Sequence, residues 1–240
     1  MIRQLLVAAL LTAATPAFAA NPVLDTGRPA EDKARDADRK PAELLAFAGI
    51  KPGMVIGEFY PGGGYFTRIF SNAVGPKGKV IAYLPDEQLV KNPKGLDRVT
   101  AIAAEPEHTN VMPMHNPLMA PGAAGAIDVM WTSENYHDIH NLPGVDMVAF
   151  NKLVYRELKP GGVYIITDHA APAGSGAANT SDLHRIDPAQ VRKEVEAAGF
   201  TFAGESKVLA NPADPHNIKV FDPVIRGHTD QFAYKFRKGK

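Results

Sequence analysis

Three consecutive glycines, Gly62, Gly63 and Gly64, interrupt the stretch EFYPGGGYFT between a short apolar run and a segment with helical apolar spacing. Glycine allows a sharp strand-to-helix turn and a close ligand approach, and the helix start offers unpaired N–H groups. A chain built this way belongs to the α/β class. No Lys-Ser or Lys-Thr follows the glycines, which argues against a phosphate-cradling P-loop. The plainer alternative is a tight turn that serves no ligand.

The rest of the chain keeps the same rhythm. MVIGEFY before the glycines reads as a buried strand, and YFTRIFSNAV as a helix with Phe66, Ile69, Phe70 and Val74 on one side, closed by Gly75. GKVIAYL, AAGAIDVMWTS and VYIITDH read as further strands, with a helix over VDMVAFNKLVYREL before the KPGG turn. DPAQVRKEVEAAG is a strongly marked helix: Asp187 is the N-cap, Pro188 the first helical residue, Gln190 the partner in a capping box and Gly199 the stop. In QFAYKF, alternation sends Phe232, Tyr234 and Phe236 to one face of a late strand. Strands alternating with helices predict a doubly wound, mostly parallel sheet. The small-residue segment 171–181 is a mobile lid or a loose connection. Arg35 and Arg39, four apart in a charged lead-in, read as a solvated helix face in preference to a cover over a ligand.

The sequence opens with MIRQLLVAALLTAATPAFAA, the layout of a cleaved secretory signal peptide over residues 1–19. Residues 20–240 then form one domain, exported to the periplasm or secreted, with no membrane span after cleavage. There is no cysteine, so disulfides and thiol chemistry are excluded. Lys plus Arg and Asp plus Glu both number 26, which leaves no global field to favour nucleic acid or an anionic membrane.

The order of these pieces resembles the class I S-adenosylmethionine-dependent methyltransferases, and among them the exported bacterial type. The resemblance runs from about Arg28 to Lys238, through Glu58 with PGGGY, GKVIAYLPDE, IDVMWTSENYHD, ELKPGGVYIITDH, IDPAQVRKEVEAAGF and FAYKFRK. It implies a Rossmann-like, seven-stranded sheet whose last strands are antiparallel, and S-adenosylmethionine as cofactor at Glu58, Tyr60, Gly62, Gly63, Gly64 and Ser133. It also implies methyl transfer to a small-molecule substrate. Two departures stand out. Tyr60 occupies the first glycine position of the loop, and the ribose-holding carboxylate at the end of the second strand falls on Leu84, with Asp86 the nearest substitute. Losing one charged hydrogen bond of this kind costs roughly 1.5–3 kcal/mol, about ten- to a hundredfold in affinity.

Six of the eight histidines lie from His108 through His184. His137 with Asp138, Asp168 with His169, and His184 all follow segments whose ends should face the crevice of a doubly wound sheet. Three roles compete: a general base, a metal set of His137, His140, His169 and a carboxylate, and structural capping. The base is preferred, at His137 or His169, oriented through a cross-pairing of His137 with Asp168 or His169 with Asp138; no metal ligand set is assigned. The competing functions are an exported binding protein that keeps the fold without catalysis, and a metal-assisted hydrolase.

Overall fold

The computed structural model describes residue 24 and residues 26–240 apart from 121 and 123, so the leader expected over 1–19 lies outside the described residues. Two short helices, α1 (Ala30–Lys33) and α2 (Asp36–Arg39), lead into α3 (Pro41–Ala48). Strand β1 (Val55–Phe59), helix α4 (Tyr65–Val74), strand β2 (Lys79–Pro85), helices α5 (Asp86–Lys91) and α6 (Lys94–Ala103), and strand β3 (Val111–Asn116) build one half of the sheet. The other half is β4 (Ile127–Ser133), α7 (Tyr136–His140), α8 (Met147–Glu157), β5 (Leu158–His169), α9 (Pro188–Ala197), β6 (Thr201–Ser206) and β7 (Gln231–Arg237).

The seven strands lie in the order β3-β2-β1-β4-β5-β7-β6. Strands β1 to β5 are parallel to their neighbours, whereas β7 runs against both β5 and β6. The sheet is therefore mixed, and β7 is its one reversed strand. The last two strands pair antiparallel as expected, and β6 returns to the direction of β5. The chain leaves β1 toward β2 on one side and re-enters at β4 on the other. That reversal opens a crevice at the C-terminal ends of β1 and β4.

Strand alternation supplies two cores. On β4, Val129 and Trp131 join Phe66, Phe70, Leu84 and Ile102 under α4 and α6, while Met130 joins Phe59, Phe150 and Tyr164 under α8 and α9. Trp131 is fully buried between the rings of Phe66 and Phe70. Phe232, Tyr234 and Phe236 share one face of β7, as the alternation predicts. Asp187 caps α9 by accepting from Ala189 N (2.9 Å), but Gln190 reaches Glu194 Oε1 (2.6 Å) and does not close a capping box. No helix among the described residues is long and apolar enough to cross a membrane.

Candidate functional site

Residues 60–64 turn the chain from β1 into α4. Tyr60 takes a left-handed backbone conformation (φ 55°), as do Gly62 (φ 60°) and Gly64 (φ 86°). The left-handed backbone at Gly64 favours glycine, and a Cβ there would also press on the end of the Ile102 side chain of α6. At Gly62 and Gly63 a Cβ would meet nothing within 4 Å, because both face a cavity of about 240 Å³. Tyr60 holds a conformation that costs a non-glycine residue about 1–3 kcal/mol. Its ring joins the cluster of Phe59, Leu118, Tyr136 and Ile139, its N–H donates to Tyr83 O (3.0 Å), and its carbonyl accepts from Asn135 Nδ2 (3.2 Å). Burial of the ring and these two bonds offset the strain.

Glu58, the next-to-last residue of β1, lines this cavity, is 3% exposed, and accepts from Thr67 Oγ1 (2.6 Å). Burial pushes its carboxyl up to about 7, against downward pulls from the Thr67 hydrogen bond and the Arg39 charge. The folded chain thus holds a proton that the unfolded chain, titrating at 4.5, has already released. Stability should fall as pH rises from about 4.5 to about 7 and level off above. The full effect is about 3 kcal/mol. Glu58→Gln removes it, so the variant should gain stability over the parent at pH 8 and not at pH 4.5. Urea denaturation at both values checks this, and equal differences at the two would exclude it.

A second cavity, of about 480 Å³, opens beyond the first. The two share Arg35, Arg39, Phe66, Ser133 and Glu134 as a common wall. Arg39 is the partition: Nη2 donates to Ser133 Oγ (3.2 Å) and pairs with Glu134 Oε1 (3.1 Å), with the guanidinium over the rings of Tyr65 and Phe66. The expectation of a solvated face is corrected for this residue. The cause lies upstream, where Arg28 clamps Asp36 by two bonds (2.7 and 2.9 Å) and Tyr65 Oη donates to the same carboxylate (2.6 Å). These bonds fold the charged lead-in back over the glycine loop.

The far wall of the second cavity carries Thr167, His169, Phe221, Arg226 and Gln231. His169 Nδ1 faces Thr229 Oγ1 at 2.7 Å. Burial holds this imidazole below its usual range, against upward pulls from Glu134 and Asp168 and with further downward pulls from His137 and Arg185. Glu134 is held below the usual carboxylate range: burial pushes it up, and the charges of Arg39 and His169 override that.

His137 sits on α7, 2% exposed, outside both cavities. Its Nδ1 meets Asp168 Oδ1 (2.8 Å) and its backbone N–H donates to Asp168 Oδ2 (2.9 Å). Burial pushes this imidazole down, but the charge and hydrogen bond of Asp168 override it and leave it raised. Of the two cross-pairings expected, that of His137 with Asp168 forms. His169 turns to Thr229, and Asp138 to His137 Nε2 (3.5 Å) and His184 Nδ1 (3.6 Å). His140 binds Glu194 (3.0 Å), so His137, His140 and His169 are not brought to one centre.

Glu58, Tyr60, Gly62, Gly63 and Ser133 line the crevice together. Gly64 caps α4 behind it, Leu84 is in the core, and Asp86 faces His115 (3.1 Å) at the surface. Sequence reading passed over Asn135, Thr229, Gln231 and Arg226.

No family model matches the chain, and no curated protein does. Solved structures do. A S-adenosylmethionine-dependent methyltransferase from Aquifex aeolicus is similar with a TM-score of 0.63 at 18% identity, over 88% of this chain and 98% of its own. One from Mesorhizobium loti gives 0.59 at 13% identity, over 82% and 96%. A possible exported protein from Bordetella parapertussis gives 0.53 at 16% identity, over 84% and 68%. The chain shares the Rossmann-like α/β fold of the two S-adenosylmethionine-dependent methyltransferases and of the exported protein.

Proposed function

We propose that this protein transfers a methyl group from S-adenosylmethionine to a nucleophilic oxygen or nitrogen of a small molecule. One observation carries the reading: two cavities meet at a shared wall, one beside a glycine loop and the other beside a histidine, as a two-substrate transfer requires. The loop half fits the cofactor. Gly62 and Gly63 leave open space, Glu58 offers a buried carboxylate, and Ser133 and Asn135 add polar atoms on the opposite side. These residues would hold it, with Arg35 and Arg39 above. The end of β2 adds no carboxylate to that cavity, so a bound ribose would meet fewer charged partners than the family resemblance implies.

The cofactor supplies an electrophilic methyl group when bound. The acceptor must then lose a proton, and we assign its removal to His169, which lines the second cavity. In the tautomer that donates Nδ1–H to Thr229, Nε2 keeps its lone pair, and burial lowers the basicity of the ring. Glu134 and Gln231 frame the same wall, Gln231 Nε2 donating to Glu134 Oε1 (3.2 Å).

Export is part of this reading, supported by the leader pattern over residues 1–19, and an intact mass lacking those residues would check it. The central test is calorimetry with S-adenosylmethionine and S-adenosylhomocysteine. Both should bind at micromolar to submillimolar concentration. Binding of neither at millimolar concentration would overturn the reading and favour a protein that keeps the fold for another ligand.

A further inference from the structure

Behind the wall that carries His169, three side chains from two separate segments converge. Two belong to α7, His137 and Asp138, and the third is His184, beyond the small-residue segment 171–181. None of them lines either cavity. We propose that His137, Asp138 and His184 form a binding site for one divalent transition-metal cation of the zinc class.

The distances between donor atoms carry the assignment. His137 Nε2 lies 3.3 Å from His184 Nδ1 and 3.5 Å from Asp138 Oδ1, and the last two lie 3.6 Å apart. A tetrahedral cation with bonds of about 2.0–2.2 Å has donor-to-donor edges of about 3.3–3.6 Å. Hydrogen bonding explains the triangle less well. With Nδ1 engaged by Asp168, Nε2 is the ring atom of His137 that faces the Asp138 carboxylate oxygen and the second imidazole nitrogen, each at 3.3 Å or more. One proton satisfies one edge, whereas a cation at the centre satisfies all three donors.

The surroundings are those of a ligand-orienting shell. Fully buried Asp168 fixes the His137 ring from the far side while accepting the backbone N–H groups of His137 (2.9 Å) and His169 (2.8 Å). A carboxylate on the second nitrogen of a ligating imidazole is the usual means of setting its tautomer and raising its donor strength. His184 is held as firmly. Its backbone is left-handed (φ 56°), and its neighbours are tied by Arg185 N to Asn179 O (3.1 Å), Ile186 N to His169 O (3.0 Å) and Val220 N to Leu183 O (3.2 Å). The ring packs beside that of Phe221, 4.9 Å between centroids.

Two imidazoles and one carboxylate select zinc, cobalt or nickel over magnesium and calcium, which prefer all-oxygen sites. The Asp138 side chain is 44% exposed and that of His184 26%, so the cation can enter and keep a solvent-facing fourth position. Its structural effect is to clip the end of the 171–181 segment onto α7.

The test uses untagged full-length protein, stripped with a chelator and titrated with Co²⁺ alone. Wild type should take up one equivalent with a visible absorption band of tetrahedral type, and Zn²⁺ should displace it and raise the melting temperature. His184→Ala and Asp138→Ala change partly exposed groups; each should weaken Co²⁺ binding by at least about 100-fold, the upper end of what loss of an outer-shell partner costs. Metal-free melting of both variants should match wild type. Absence of stoichiometric uptake by wild type would overturn the site, and so would equal uptake by both variants. Neither outcome involves S-adenosylmethionine, so failure here leaves the methyl-transfer reading standing.

Discussion

Replacing His169 with alanine is expected to lower methyl transfer by about 10²–10⁴-fold while melting temperature and cofactor affinity stay nearly unchanged. The residue is the histidine that reaches the second cavity, and its ring is held by one hydroxyl, Thr229 Oγ1, at 2.7 Å. A lost general base removes proton transfer from the transition state and leaves ground-state contacts to the cofactor intact, so kcat falls and cofactor Kd does not. His137→Ala should behave differently. It strips fully buried Asp168 of its imidazole partner and should lower the melting temperature. Single-turnover rates and thermal melts of both variants, measured beside cofactor calorimetry, separate the two roles. Full activity in His169→Ala would remove the residue from the reaction.

That division was not visible in the sequence, although much of the frame was. Apolar runs bounded by glycine gave β1, β2, β4 and β5, because strands buried on both faces must be continuously apolar. The two strands left unread, VMPMHN and TFAGES, are the sheet's two edges. Each is at least partly exposed at most of its positions, and β3 carries Pro113, which an edge tolerates and a central strand does not. Thr229 and Gln231 escaped notice for a topological reason. A parallel strand brings its end to the crevice, but reversed β7 brings its start, pairing Gln231 with His169. Leu84 and Asp86 illustrate the opposite limit. They stand where the sequence resemblance put the ribose contacts, yet alternation turns Leu84 into the α6 core and the start of α5 carries Asp86 to His115. Arg39 needed the Arg28–Asp36 clamp before its direction could be known.

The second large effect concerns Arg185, one residue beyond His184. Arg185→Met should cost about 3–5 kcal/mol of stability, the range found when one partner of a buried ion pair is removed. Both side chains of the Arg185–Asp214 pair are fully buried, joined at 2.8 and 3.1 Å. Arg185 also donates to Ala170 O (3.0 Å) and Ile218 O (3.0 Å), so one guanidinium ties the end of β5 to the segment that carries Phe221, Arg226 and Thr229. Methionine fills similar volume but leaves Asp214 charged, buried and served only by the backbone N–H groups of His216 and Asp230. The sign with pH follows from the acid. Burial pushes Asp214 up, but the Arg185 hydrogen bond and the two backbone donors override it and leave it lowered. The stabilisation is therefore present above the ordinary carboxylate range and is lost as pH falls through the folded value. Urea denaturation at pH 7 should show a lowered midpoint at an unchanged slope. Since the same residue fixes His184 and backs the wall of His169, the variant that still folds should also bind Co²⁺ more weakly. A stability loss under about 1 kcal/mol would mean that the segment is held by its apolar packing, and that Arg185 is a passenger in it.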